Sequence, residues 1–222
     1  ADKLGQPVSE LDISQYVGLL MIDGLSRAEE EINDRIGDLS DVLFIGGSAG
    51  DDLKFEKTWV HANGKAYSGA AVLALLKTVN GFEILKTQSF DTADCQLIPT
   101  RVDEATRTVY EFNGKPAIEA YAEALGKSPE EANNSFMHNP VGLMVGDEPY
   151  VRSPQQAQDT SMVFYCSVKE GMELSLLESR DIVADTGRDL EAKVAEVGEV
   201  KGIINFHCIL RTLELEQKQQ TE

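Results

Sequence analysis

The run Gly46-Gly47-Ser48-Ala49-Gly50-Asp51-Asp52 has the residue types of a small-molecule loop, and it follows an apolar stretch at 41–45 (DVLFI). Glycine reaches backbone shapes closed to other residues and lets a ligand approach the main chain. The carboxyl end of a buried strand is where open α/β sheets bind ligands. Gly46, Gly47 and Gly50 would shape such a loop, while Ser48 and Asp51 would hold a hydroxyl or an ammonium group. The plainer expectation is a tight strand-exit turn in which Asp51 or Asp52 caps local amides. A phosphate loop is excluded, because the run lacks both the Lys-Ser/Thr of a Walker motif and G-x-G-x-x-G spacing.

Arg152 and Arg211 are the second candidate set. A planar guanidinium suits a ligand carboxylate, and in an acidic chain it equally suits a protein carboxylate. Cys208 stands next to His207 in GIINFHCI, residues 202–209. If that run is a strand, the two side chains point to opposite faces and form no catalytic pair. Cys208 then reads as a small buried hydrophobe, with a pocket-lining thiol as the alternative. Cys166 reads as core. On the helix after Pro116, Tyr121 falls on the apolar stripe as a core residue and Glu119 faces solvent. A hydrolase built on Ser48 or Cys208 lacks a histidine placed as base, and G-G-S-A-G is not the G-x-S-x-G elbow.

Composition narrows the classes. Hydrophobic residues make up 42% of the 222, enough to fill a globular core. The formal net charge of −18 repels phosphate backbones and anionic membranes, so neither nucleic acid nor a membrane is an expected partner. No apolar run approaches a membrane-spanning length, and residues 1–11 lack the apolar core of a signal peptide. The 3 cysteines are widely spaced, which fits a reducing cytoplasm rather than a disulfide framework. No cofactor and no metal are expected.

The elements that must position these residues follow from periodicity. Residues 16–22 (YVGLLMI) and 41–45 read as buried strands. Between them Ser26 and Glu29 form a capping box for a helix with Ile32 and Ile36 on one face, giving a parallel β-α-β unit. Residues 58–61, 70–76 and 82–90 read as an antiparallel meander turned at Asn63-Gly64 and Asn80-Gly81. A softer boundary spans 91–103. Residues 107–112 read as a strand. Asn113-Gly114-Lys115-Pro116 then turns into a helix with Ile118, Tyr121, Ala122 and Leu125 on its stripe and Gly126 as its stop. Ser128-Pro129-Glu130-Glu131 opens a short helix. Strands are expected at 141–145, 150–152, 162–168, 173–177 and 202–209. An amphipathic helix is expected at 185–197 on Leu190, Val194 and Val197, followed by a polar helical tail.

Taken together, MIDGLS at 21–26, GGSAGDD at 46–52, FNGKPAIEAYAEALG at 112–126, YVRS at 150–153, VKEG at 168–171 and NFHCILRTLELE at 205–216 resemble the FIST family of signal-transduction sensors over nearly the whole chain. The resemblance implies that residues 1–90 are the C-terminal portion of a FIST N-terminal domain and residues 91–212 a FIST C-terminal domain. Residues 213–222 would be a helical tail toward an output domain. It implies a bacterial, cytoplasmic, non-enzymatic module that binds a small metabolite, an amino acid being the leading expectation. The ligand-binding set is then Gly46, Gly47, Ser48, Gly50, Asp51, Arg152, Cys208 and Arg211. A protein-interaction adaptor is the rival reading, and a homodimer through the tail is a further expectation. The fold class expected is mixed α/β (α+β): a β-α-β unit extended by antiparallel strands, then a largely antiparallel sheet covered by helices.

Overall fold

The apolar run at 16–22 (YVGLLMI) becomes the central strand of a sheet. In the computed structural model, which describes residues 4–221, Tyr16–Asp23 forms β1. Helix α1 (Glu29–Gly37) leads to β2 (Phe44–Ala49), which pairs parallel to β1 from Gly18↔Phe44 to Asp23↔Ala49. After the hairpin of β3 (Val60–Ala62) and β4 (Lys65–Tyr67), β5 (Ala71–Lys77) closes the other side of β1 antiparallel. The order β2-β1-β5 is the expected β-α-β unit with an antiparallel extension. Among the described residues, those up to 84 with 201–206 form one of two units; 85–200 and those from 207 onward form the other.

Local chemistry moves several boundaries in the first unit. Ser26 does not cap α1. Its hydroxyl donates to the Asp23 carbonyl at 2.6 Å and closes the turn after β1. The helix begins at Glu29 with Ala28 as its cap, so Glu29 stands in the first helical position, too early to reach back in a capping box. Ile32 and Ile36 share a face, though only half-buried. The second strand begins at Phe44, not residue 41, because the Val42 amide is taken by the Ser40 hydroxyl at 3.1 Å. It therefore runs through Gly46, Gly47 and Ser48. Asn63-Gly64 does make a two-residue hairpin, both residues at positive φ (51° and 73°). It joins β3 to β4, however, and β5 pairs with β1. Residues 82–89 form no strand.

The buried carboxylate of Asp23, 3% exposed, ends β1. It accepts from the Thr58 hydroxyl, the Ser68 hydroxyl (3.1 Å), the Gly69 amide (2.5 Å) and the Leu25 amide (3.0 Å). Thr58 above all, then the amides of Gly69 and Leu25, outweigh burial and hold the carboxyl below its usual value.

The second unit carries the larger core. Strands β6 (Phe90–Leu97) and β7 (Pro99–Asp103) occupy the stretch expected as a soft boundary. There follow β8 (Thr108–Phe112), the short β9 (Lys115–Pro116), α2 (Ala117–Leu125) and α3 (Pro129–Asn133). Strands β10 (Val141–Val145), β11 (Glu148–Arg152), β12 (Pro154–Gln158), β13 (Ser161–Phe164) and β14 (Leu174–Ser179) come next. They make two antiparallel sheets, β11-β10-β14-β6 and β12-β13-β8-β7, with β9 on β8. The core joins α2 to both: Ile118, Tyr121 and Ala122 pack with Leu97, Val109, Phe112, Phe136, Val141, Met162 and Leu174. The Phe112 and Phe164 rings meet edge-on at 6.3 Å. Tyr121 is fully buried and donates to the Asn139 carbonyl at 2.7 Å.

Turn and cap residues here act as expected. Asn113 and Gly114 take positive φ (52° and 74°). The Asn113 side chain also accepts from the Ile98 amide (2.9 Å) and donates to the Gln96 carbonyl (3.0 Å). Gly126 ends α2 at φ 65°, and Ser128 with Glu131 closes the capping box of α3. The C-terminal elements depart further. Helix α4 spans Ile182–Val197, starting before residue 185 because the Asp181 carboxylate caps the amides of Val183 and Ala184. Its expected core stripe is exposed, with Leu190 at 37% and Val194 and Val197 at 38%. Residues 202–208 form no strand: no ladder pairs them, and Ile203 and Ile204 are 64% and 57% exposed. An apolar run becomes a strand only where a partner edge accepts it. The tail forms α5 (Ile209–Gln217).

Asp23→Ala leaves several inward-facing donors without an acceptor and should lower the unfolding free energy by about 2–3 kcal/mol in a urea titration. Because folding depresses this carboxyl, the wild-type advantage is complete above about pH 4. It shrinks as the pH falls through the depressed folded value. A difference that persists unchanged into strong acid argues against this role for Asp23.

Candidate functional site

In the first unit the glycine-rich run is largely framework. Gly46 sits opposite Leu20 in the β1–β2 register, and a Cβ on it would lie 1.7 Å from the Leu20 carbonyl oxygen. Only glycine permits that approach. Gly47 faces the Phe206 ring, 3.8 Å from where its Cβ would be, and Gly50 is open. Ser48 donates to Glu29 Oε1 at 2.9 Å, tying β2 to the start of α1. The Asp51 carboxylate accepts from the amides of Phe55 (2.9 Å), Glu56 (2.6 Å) and Lys57 (3.0 Å). These amides, Lys57's foremost, hold the carboxyl below its usual range. Asp51 thus organises a loop in which Asp52, Leu53 and Phe55 all take positive φ. The capping role, the plainer of the two expectations, is the one its geometry displays.

In the second unit, Cys208 and Arg211 come together at the start of α5. Cys208 is the cap residue, and Arg211 lies in the first turn, its amide bonded to the Cys208 carbonyl at 3.0 Å. Cys208 is exposed, against the expectation of a buried hydrophobe, because the segment before it is not in a sheet. The Arg211 guanidinium reaches α4 and donates to Thr186 Oγ1 at 2.6 Å. Burial lowers its pKa, opposed by Cys208 and Glu214. Burial, then the charge of Arg211, lowers the pKa of His207. Tyr165 also faces this group: burial, then Cys208, push its hydroxyl above the ordinary tyrosine value.

Arg152 ends β11. Among the described residues its Nη1 reaches only the neighbouring carbonyls of Val151 (3.3 Å) and Tyr150 (3.5 Å), and its Nε is buried without a hydrogen-bond partner. The next residue, Ser153, accepts the Tyr165 amide at 3.1 Å, so the chain segments that carry Arg152 and Tyr165 are bonded. Among the described residues no carboxylate lies at ion-pair distance from Arg152 or Arg211. Arg180 and Arg188, by contrast, both hold Asp185, at 2.9 and 2.6 Å. Two guanidiniums without acidic partners, one of them desolvated, can receive an anionic group.

Sequence reasoning did not find Tyr165 or Thr186. Neither stands in a recognisable motif, and both reach Cys208 and Arg211 through the tertiary fold. The described residues contain no cluster of three or more His, Cys, Asp and Glu able to hold a metal. No helix among them is long and apolar enough to cross a membrane.

Comparison with known proteins gives the chain's relationships. The FIST N domain model matches residues 1–115, and the FIST C domain model matches residues 117–222. An uncharacterized protein of Methanocaldococcus jannaschii is 26% identical over 187 residues, which take in 77% of this chain and 36% of that protein. The chain thus spans about a third of the length of the curated relative it matches. No solved structure matches it.

Two outcomes test the geometry. Gly46→Ala should force β2 away from β1 and speed amide exchange at Leu20 and Gly46 well beyond exchange at β5; equal protection in the two forms would refute the close approach. Under brief alkylation of the native chain, Cys208 should react ahead of the half-buried Cys95 and Cys166, as read by peptide mass spectrometry.

Proposed function

The chain belongs to the FIST family, and from that premise we propose that it is a ligand-binding sensory module whose ligand is a small carboxylate-bearing metabolite such as an amino acid. FIST domains are described as sensory domains of signal transduction. The observation that carries the finer reading is the pair Arg152 and Arg211, left without carboxylate partners among the described residues of a chain of net charge −18. A guanidinium shielded from water binds a carboxylate far more strongly than an exposed one does. Ligand carboxylate would displace the Arg211–Thr186 contact and so alter how α5 is held against α4. A ligand with different affinities for the two arrangements shifts their populations, which is the physical content of sensing. Downstream, the module would act on a signalling output domain, and the site would be non-catalytic: Ser48 is bonded to Glu29, and no hydrogen bond links Cys208 to an imidazole among the described residues.

A protein-interaction adaptor is favoured by one observation. Val183, Leu190, Val194 and Val197 form an exposed apolar stripe along α4. Self-association or partner capture abolished by Val194→Asp, with no metabolite response, would favour it.

A thermal-shift screen of the proteinogenic amino acids and common carboxylic metabolites tests the sensory reading. A ligand at a hundredfold excess over its Kd adds about 2.7 kcal/mol to stability. The expected result is a rise confined to one carboxylate class and lost in Arg211→Ala or Arg152→Ala. A response unchanged in both variants moves the site elsewhere, and no response to any compound overturns the proposal.

A further inference from the structure

A second, separate feature of the C-terminal unit has the chemistry of a binding site. A cleft of about 400 Å³ is lined by Lys127, Glu131, Asn134, Ser135, His138 and Asn139. Its volume lies within the roughly 300–1,000 Å³ of small-molecule sites, at the small end. It is built by the tight succession of the αL cap Gly126, helix α3 and the turns that lead into β10.

The donors in it are only partly used. Lys127 Nζ donates to Ser135 Oγ at 2.7 Å, a neutral partner. Ser135 is 5% exposed, and its hydroxyl accepts that bond while its own proton has no acceptor among the described residues. His138 commits Nδ1 to the Ser179 hydroxyl at 3.3 Å, with Glu214 Oε1 at 3.9 Å beyond it, and no group among the described residues bonds Nε2. The Asn134 side chain has no bond in the described structure. Glu131, the acid of the cleft, is occupied by its capping box, where it accepts the Ser128 amide at 3.0 Å. The Ser128 amide foremost, with help from Lys127, holds it below its usual value.

From this set we propose that the cleft is a binding site for a small oxyanion, either a free phosphate group or a carboxylate, distinct from the Arg152 and Arg211 group. One oxygen takes Lys127 and the unspent Ser135 proton; another takes Asn134 and His138 Nε2. A buried hydroxyl donor without an acceptor is satisfied by such a ligand, and the ammonium supplies the charge. His138 also faces Glu214, a residue of α5 that is 2% exposed and bonded to Lys218 at 2.6 Å. The His138 ring thus stands between the cleft, on its Nε2 side, and Glu214, 3.9 Å from Nδ1, so an anion that fixes the ring is felt at the helix that carries Arg211.

The test is a titration of the isotope-labelled chain with inorganic phosphate, and separately with acetate, at constant ionic strength, followed by amide and imidazole NMR. Saturable shifts are expected at Lys127, Asn134, Ser135 and His138, with transmitted shifts at Glu214. Lys127→Ala should weaken binding by at least about tenfold, and Lys127→Arg should retain it. The anion that saturates at lower concentration identifies the class. Shifts that stay linear with both anions, or that survive Lys127→Ala undiminished, overturn the proposal without bearing on the Arg211 site. Lys127 is exposed, so its variants should keep the wild-type spectrum outside the cleft.

Discussion

A carboxylate taken out of water is tolerated only when its lone pairs are filled, and in the first unit that constraint falls on Asp23. Its partners are neutral: two hydroxyls and two backbone amides. They come from three separate stretches, the turn after β1, the segment before β3 and the turn before β5. The end of the central strand is thereby fixed relative to everything that follows it. Burying Asp23 is what requires those stretches to converge, and their convergence brings β5 onto β1.

The MIDGLS and GGSAGDD runs are therefore in good part architectural. Asp23 and Ser26 shape the strand exit, Gly46 lets β2 approach the Leu20 carbonyl, and Asp51 folds its loop onto itself. Glycine, aspartate and serine are the usual vocabulary of ligand loops and of tight turns alike, since both need unusual backbone shapes and local acceptors. Residue type cannot separate the two uses; the positions of the donors can.

The second unit meets the same constraint with different groups. Tyr121 reaches a carbonyl, Asn113 clamps the junction of β6 and β7, and Asp185, 5% exposed, is held by Arg180 and Arg188. Burial opposes ionisation of Asp185, but the hydrogen bonds from Arg188 and Arg180 prevail and keep it below its usual value. Acids outnumber lysines and arginines by 38 to 20, and Lys86, Arg101, Arg180 and Arg188 are among the cations that hold a carboxylate. The placement of Arg211 against a threonine hydroxyl is therefore informative. The long-range field of the protein repels anions, and recognition of one must come from short-range, desolvated donors.

The sequence alone determined the family, the mixed α+β class, the parallel β1–β2 pair joined by a helix, and the α2 core stripe. It also determined the Asn113-Gly114 turn, the Gly126 stop and the Ser128 capping box. Each of these rests on neighbours in the chain, where spacing and residue type decide the outcome. Only the tertiary structure decided that β5 pairs with β1, that residues 91–103 are strands, and that residues 202–208 are not. It alone decided that the α4 stripe is exposed and that Tyr165 and Thr186 stand beside Cys208 and Arg211. Strand pairing and side-chain convergence join residues far apart in the chain, and a strand-like pattern specifies only a surface that wants a partner. Whether a partner edge, a carboxylate or a hydroxyl arrives at that surface is settled by the packing of distant segments, and that information is absent from any local window.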